Sequence, residues 1–245
     1  MAQDDSAEPA PEAVSAASTG DNPANSESLS GTLGEAIERL NSEFAMELDI
    51  PAEAVEKLSE YCRLLWDWNT KVNLTRHTTW DLFARRDLLD SYRLAKQLAP
   101  EEDVLDVGTG GGVPGILLAI LRPDLNVMLC DSVEKKARIV KSIVEGLELP
   151  IAVHATRAQL VVQDLRFHSL VTRAVGSLAK LLTWLKDDWV SFDRLLAIKG
   201  PRWVEERGQA RHLGLLANLE LRVADSYPMP GTESESIILE AKHRR

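Results

Sequence analysis

From Leu33 onward the apolar positions recur at helical intervals. Leu33, Ile37, Leu40 and Phe44 share one face, and after Pro51 so do Val55, Leu58, Tyr61, Leu65 and Trp68. A third helix is predicted over Thr79–Leu98, where Leu82, Arg86, Leu89 and Arg93 stand at near-helical spacing. Together these helices, residues 33–98, are expected to cap a core that runs over residues 99–245.

Beyond residue 98 the pattern changes to short apolar runs alternating with amphipathic stretches. Strands are predicted at Val104–Val107, Asn126–Cys130, Ile151–Ala155, Leu170–Thr172 and Leu195–Ile198. Helices are predicted at Pro114–Leu121, Val133–Leu147, Ala158–Gln163, Leu178–Val190 and Trp203–Leu216. Repeated strand–helix units give a parallel sheet with helices on both faces. Two final strands, Leu219–Ala224 and Ser236–Ala241, flank the turn-rich Tyr227–Glu235 and have no helix between them. They must form an antiparallel hairpin at one edge. A seven-stranded, mostly parallel α/β sheet closed this way is the Rossmann-like arrangement of class I methyltransferases.

The net charge of −10 changes this picture only at the N-terminus. Residues 1–50 hold eleven of the 38 acidic residues and, in Arg39, one of the 28 basic ones, so the rest of the chain is balanced. Residues 1–32 are rich in Ala, Ser, Pro, Glu and Asp without apolar periodicity, which predicts a disordered acidic tail. A balanced body neither demands nor excludes a nucleic-acid partner, because a local basic face decides that. Cys62 and Cys130 lie in apolar patterns, which suits a reducing compartment and provides no metal cluster. No basic start precedes an apolar run, and the longest apolar stretch, Val113–Leu121, is far shorter than the ~20 residues of a membrane span. The expectation is a cytoplasmic protein, monomeric and without membrane contact.

The candidate chemistry sits between the first predicted strand and helix. Residues Asp106 to Gly115 read Asp-Val-Gly-Thr-Gly-Gly-Gly-Val-Pro-Gly. Glycines here permit positive φ and let backbone approach a ligand. A dinucleotide would rest its pyrophosphate on the helix N-terminus. S-adenosylmethionine has no phosphate, and its amino-acid end would lie in the loop instead. Gly110-x-Gly112-x-x-Gly115 formally fits the dinucleotide fingerprint, but so many glycines fit many patterns. Asp106, two residues before Gly108, is placed to reach a cofactor ammonium, and Pro114 removes an N–H that a phosphate would use. Both details favour S-adenosylmethionine. Asp131, at the end of the second strand, can bind the two ribose hydroxyls of an adenosyl group, or cap the helix that follows.

Six segments occur in order: Trp68-Asn69-x-x-Val72-Asn73-Leu74-Thr75, Arg86-Asp87-Leu88-Leu89-Asp90-Ser91, Asp106 to Gly115, Leu129-Cys130-Asp131-Ser132, Thr172-Arg173-Ala174-Val175 and Ala197-Ile198-Lys199-Gly200. As an ordered set they resemble the RsmG (GidB) family, which methylates N7 of one guanine in small-subunit ribosomal RNA. The resemblance implies that Gly108 and Val113 line the methionine end of the cofactor, Asp131 the ribose, and Ala158 and Gln159 the adenine; Gly110 of the loop is a further cofactor-binding candidate. Arg173 and Lys199 match basic positions at the mouth of the site. Three departures stand out. Asp87 replaces a usual His, Gln159 a usual acid, and Glu235-Ser236 a usual Arg near the last strand. An acid at Asp87 is expected to repel RNA phosphate.

Guanine N7 carries a lone pair and no proton, so its methylation needs alignment rather than a general base. Arg173, Arg86 and Lys199 are the candidate groups for orienting the base and its phosphates, with Arg173 also a candidate for the cofactor carboxylate. The five histidines, His77 among them, are scattered without metal-ligand spacing. They read as surface or packing residues, and no metal site is expected. Trp66, Trp68 and Trp80 can stack a flipped base, although Trp68 falls on an apolar helix face. Two other classes share these features: an NAD-binding oxidoreductase, and a non-catalytic RNA-binding assembly factor.

Overall fold

The computed structural model describes residues 31–244. The acidic segment 1–30 lies outside the described residues, but Thr32 is the N-cap of helix α1 (Leu33–Phe44). Its hydroxyl accepts from Glu35 N–H while the Glu35 carboxylate accepts from Thr32 N–H. Helix α2 spans Ala52–Asn69 and buries Leu58, Tyr61, Cys62 and Leu65. Val55 and Trp68, from the predicted apolar face, pack only partly against the core.

The predicted third helix is three pieces. Helix α3 (Trp80–Leu82) runs into a π-helical turn, Phe83–Leu88, and then into α4 (Leu89–Ala95). The wider turn shifts the phase of the side chains, and of the predicted face Leu82, Arg86, Leu89 and Arg93 only Leu89 is buried. The buried face instead carries Asp87, Asp90 and Ser91 among apolar neighbours. Such π-turns are rare and concentrate at functional sites.

The sheet follows as β1 (Asp103–Val107), α5 (Gly115–Leu121), β2 (Asn126–Cys130), α6 (Glu134–Gly146), β3 (Ala152–His154), α7 (Ala158–Asp164), β4 (Phe167–Arg173) and α8 (Leu178–Leu185). It ends with β5 (Phe192–Lys199), α9 (Trp203–His212), β6 (Leu219–Pro228) and β7 (Glu235–His243). Strand order is β3-β2-β1-β4-β5-β7-β6, with β7 antiparallel to both β5 and β6. The hairpin is therefore at the edge as expected, with its second strand on the inside. β4, β5, β6 and β7 are longer than predicted, since polar positions such as His168, Arg194 and Asp225 continue the ladders. Helix α8 stops at Leu185 rather than Val190, and α9 stops at His212.

One apolar cluster joins α1, α2 and α4 to α5, α6 and one face of the sheet; a second lies on the other face beneath α7, α8 and α9. The cap thus supplies one wall of the molecule. Its loop after α2 and its π-turn stand over the carboxyl ends of β1 and β4, where open α/β sheets bind ligands. No described helix is long and apolar enough to cross a membrane.

Candidate functional site: two cavities that meet at Arg173

The glycine loop after β1 forms the floor of a cavity of about 680 Å³. Gly108, Gly110 and Gly112 have φ of 70°, 61° and 106°, conformations that suit glycine and turn the loop around the strand end. A Cβ on Gly108 would stand 2.6 Å from Val175 Cγ2, so the approach of the β4 segment also requires its absence. The loop is held from outside. The buried Tyr61 hydroxyl donates to Gly111 O at 3.0 Å, and Gly108 and Thr109 N–H both donate to Cys130 O.

Gly108, Gly110, Val113, Asp131, Ala158, Gln159 and Arg173 all line this cavity. Asp131 serves the protein as well. Its Oδ2 accepts from Gly110 N–H at 2.9 Å and its Oδ1 from Val133 N–H at 2.8 Å. It ties loop to strand and also caps the approach to α6. Thr75 and Leu74 from the cap, Lys136 and Arg157 on the outer side, and Lys180, Leu181 and Trp184 of α8 complete the lining. None of these was assigned to the site from the sequence, since none lies in the glycine loop or at a strand end; only Leu74 and Thr75 fell within one of the six ordered segments.

Asp106 corrects an expectation. It is fully buried, does not line the cavity, and its Oδ2 accepts from Gly115 N–H at 2.9 Å. It does not reach toward a cofactor ammonium. Burial pushes its carboxyl up to about 7. This acid also bears on the choice of cofactor. Gly115 N–H is taken by Asp106 and Ile116 N–H by Gly112 O, so the start of α5 has no free pair of amides for a pyrophosphate. A cofactor without phosphate needs no such pair.

A second cavity of about 550 Å³ adjoins the first, and Arg173 and Ala174 line both. Ala174 has φ of 57°, a left-handed conformation that costs a non-glycine residue about 1–2 kcal/mol and is held here by its surroundings. Arg86, Lys199, Arg202, His77, Asp90 and Ser236 also line this cavity. Arg86 and Lys199 are thus near Arg173 but outside the first cavity. Lys199 is not a free cation: its Nζ lies 2.9 Å from Glu206 Oε2 and donates to Gly176 O.

Arg173 is likewise committed. One guanidinium nitrogen bonds Asp87 Oδ1, and the other lies 3.3 Å from Asp90 Oδ2 and 3.4 Å from Arg86 O. Asp90 Oδ1 accepts from the Tyr227 hydroxyl at 2.8 Å. Burial pushes the Asp90 carboxyl up to about 6, against the opposing pull of Arg173 and Tyr227. Asp87 is therefore no repulsive surface acid. Only 2% of its side chain is exposed, and it bridges Arg173 and His77, whose Nδ1 is 2.9 Å away. The tryptophans also differ from expectation. Trp80 is buried, Trp66 packs edge-on to it at 4.7 Å, and Trp66 Nε1 donates to His77 O, so neither is free to stack a base. Among the described residues no cluster of His, Cys, Asp or Glu has a metal-binding arrangement.

The family model for rRNA small subunit methyltransferase G matches residues 54–224, which include every residue of the first cavity. The chain belongs to that family. A ribosomal RNA small subunit methyltransferase G from Rhodopirellula baltica is 51% identical over 79% of this chain and 83% of its own length. One from a Roseiflexus species is 34% identical over 83% and 89%. Among solved structures, a methyltransferase from Pyrococcus furiosus shares the fold at 12% identity, with a TM-score of 0.51 over 64% of this chain and 83% of its own. In this methyltransferase G family member the cofactor-side assignments other than Asp106 line one cavity; Arg173 lines it too, and Arg86 and Lys199 lie beyond it.

Proposed function

We propose that the protein transfers a methyl group from S-adenosylmethionine to N7 of a guanine in small-subunit ribosomal RNA. The observation that carries this reading is the pair of cavities meeting at Arg173 and Ala174, one built around a glycine loop and the other ringed by basic side chains. A methyl donor in the first and a base entering from the second would face each other across that shared wall.

S-adenosylmethionine supplies an activated methyl on a sulfonium sulfur. The chain's own part is to hold the partners in line. Gly108, Gly110 and Val113 would bound the methionine end, Asp131 would accept from the ribose hydroxyls, and Ala158 and Gln159 would flank the adenine. Arg86 and Arg202 at the second cavity would take RNA phosphate or the O6 edge of the base. N7 has a lone pair and no proton to lose, so no general base is required. Orientation alone is worth up to roughly 7–11 kcal/mol in such displacements. One chain supplies both cavities, so a monomer suffices, acting in the cytoplasm on the small subunit or its precursor.

The test is transfer of labelled methyl from S-adenosylmethionine to small ribosomal subunits and to naked ribosomal RNA, with the label mapped by cleavage at 7-methylguanine. One labelled guanine is expected. Label on another atom or another RNA, or none, would refute the reading.

A further inference from the structure

The loop between α2 and the π-turn is unusually well fastened for a connection over a ligand site. Asn69 Oδ1 accepts from Leu74 N–H at 2.7 Å and Thr75 N–H at 2.9 Å. Thr75 Oγ1 accepts from His77 N–H at 3.0 Å, and His77 O accepts from Trp66 Nε1 at 2.9 Å. Both backbone polar groups of His77 are thereby fixed. Its ring is fixed too, by Asp87 at 2.9 Å, and Asp87 is itself held by Arg173.

The Asp87 carboxylate only accepts, so the proton between them sits on Nδ1. In the neutral ring this leaves Nε2 as an acceptor, and Nε2 has no protein partner among the described residues. The ring, 28% exposed, lines the second cavity alongside Arg86, Asp90, Arg173 and Lys199. Of the other charged groups there, Arg86 and Arg202 can only donate, while Asp90 and Lys199 are committed. Asp90 is bonded by Tyr227 and Arg173, and Lys199 by Glu206. A pinned imidazole with one open acceptor is the arrangement by which a side chain reads a specific N–H.

Resting on the function proposed above, we infer that His77 is a specificity-determining residue, whose Nε2 accepts from N1–H or N2–H of the target guanine. Enzymes that act on an extruded base read it along its Watson–Crick edge. The N2 end of guanine lies across the ring from N7, so a base with N7 toward the first cavity carries its N–H donors into the second. Adenine has an acceptor at N1 and no amine at C2, and would leave Nε2 unmatched. Asp87 is the positioning residue, which bonds both Arg173 of the shared wall and His77 of the second cavity.

Asparagine and glutamine separate this role from a merely structural one. In His77→Asn the amide nitrogen falls near the Nδ1 position and keeps the bond to Asp87, while the cavity-facing atom is lost. In His77→Gln the amide reaches the Nε2 position. Transfer to small subunits, the melting temperature and the calorimetric Kd for S-adenosylmethionine are measured for native protein, H77N, H77Q and H77A. H77N is expected to lose at least tenfold in kcat/KM for the subunit, about 1.4 kcal/mol, as H77A does, with cofactor Kd and melting temperature unchanged. Native kcat/KM in H77N would overturn the inference, since the Asp87 bond would then be all that matters. Should H77N fail to fold, H77Q decides: activity above that of H77A supports the reading role, and activity equal to H77A overturns it. Absence of transfer by the native protein would sink the proposed function itself, and this inference with it.

Discussion

The two cavities are built by different means. The floor of the first is backbone: a glycine loop turned by positive φ and clamped by Asp131, Tyr61 and Cys130 O. The second is made of side chains: Arg173 and Asp90, tied to Asp87 and Tyr227 across elements far apart in sequence, and Lys199, paired with Glu206. Backbone gives a rigid seat of fixed shape, suited to a ligand that never changes. Paired charges give a pocket whose shape depends on every partner being present, suited to discriminating among bases.

That contrast makes the variants behave differently. The largest effect is expected from Gly108→Val, where a branched side chain would meet Val175 and the backbone would be forced out of φ 70°. Calorimetric binding of S-adenosylmethionine should vanish and the melting temperature should fall. Affinity for the small subunit should be largely kept if the second cavity is separately built, and a parallel loss of RNA binding would break the distinction.

Arg173→Ala comes next, and it should act first as a stability variant. Removing the guanidinium leaves Asp87 and Asp90 buried without their cation, a loss of about 3–5 kcal/mol for a broken buried pair. Denaturant unfolding measures it. A change under roughly 1 kcal/mol, the range of an exposed pair, would show that Arg173 is not a strut. Asp131→Ala should weaken S-adenosylmethionine by roughly 1.5–3 kcal/mol, the range for hydrogen bonds to a charged group, with subunit affinity unchanged. Equal weakening of both ligands would mean that its ties to Gly110 and Val133 matter to the whole site.

A last effect, read as a pH dependence, concerns Asp106. Its folded carboxyl titrates at about 7, above the ordinary value near 3.9. A raised folded value contributes stability that is full below about pH 4 and is lost as pH rises to about 7. Measured against Asp106→Asn, which does not titrate, the native melting temperature should therefore decline across that window. A constant difference would show that the buried carboxyl does not change its protonation there.

The fold and the first cavity were legible because both are written locally. Strand–helix alternation, five glycines after Asp106 and an acid ending β2 are short-range signals. Asp106 was assigned to the right loop but the wrong partner, since only the packing of α5 onto β1 brings Gly115 N–H to its carboxylate. The second cavity was hidden for a related reason. Arg173 meets Asp87 and Asp90 across 86 and 83 residues, and nothing near Thr172-Arg173-Ala174 announces those partners. The π-turn added to this, because a regular helical phase puts Arg86, rather than Asp87, on the face with Leu82 and Leu89. His77 read as a surface or packing residue because a single histidine in a loop has no periodicity.

The central claim is that cofactor and base occupy separate cavities and meet at Arg173 and Ala174. The most direct test is a crystal structure with S-adenosylhomocysteine and a short guanine-containing RNA fragment. The account predicts the cofactor product over Gly108–Val113 with its ribose at Asp131, and guanine in the second cavity with N7 turned toward the sulfur. Guanine bound with N7 turned away, or a cofactor product seated among Arg86, Lys199 and Arg202, would contradict it.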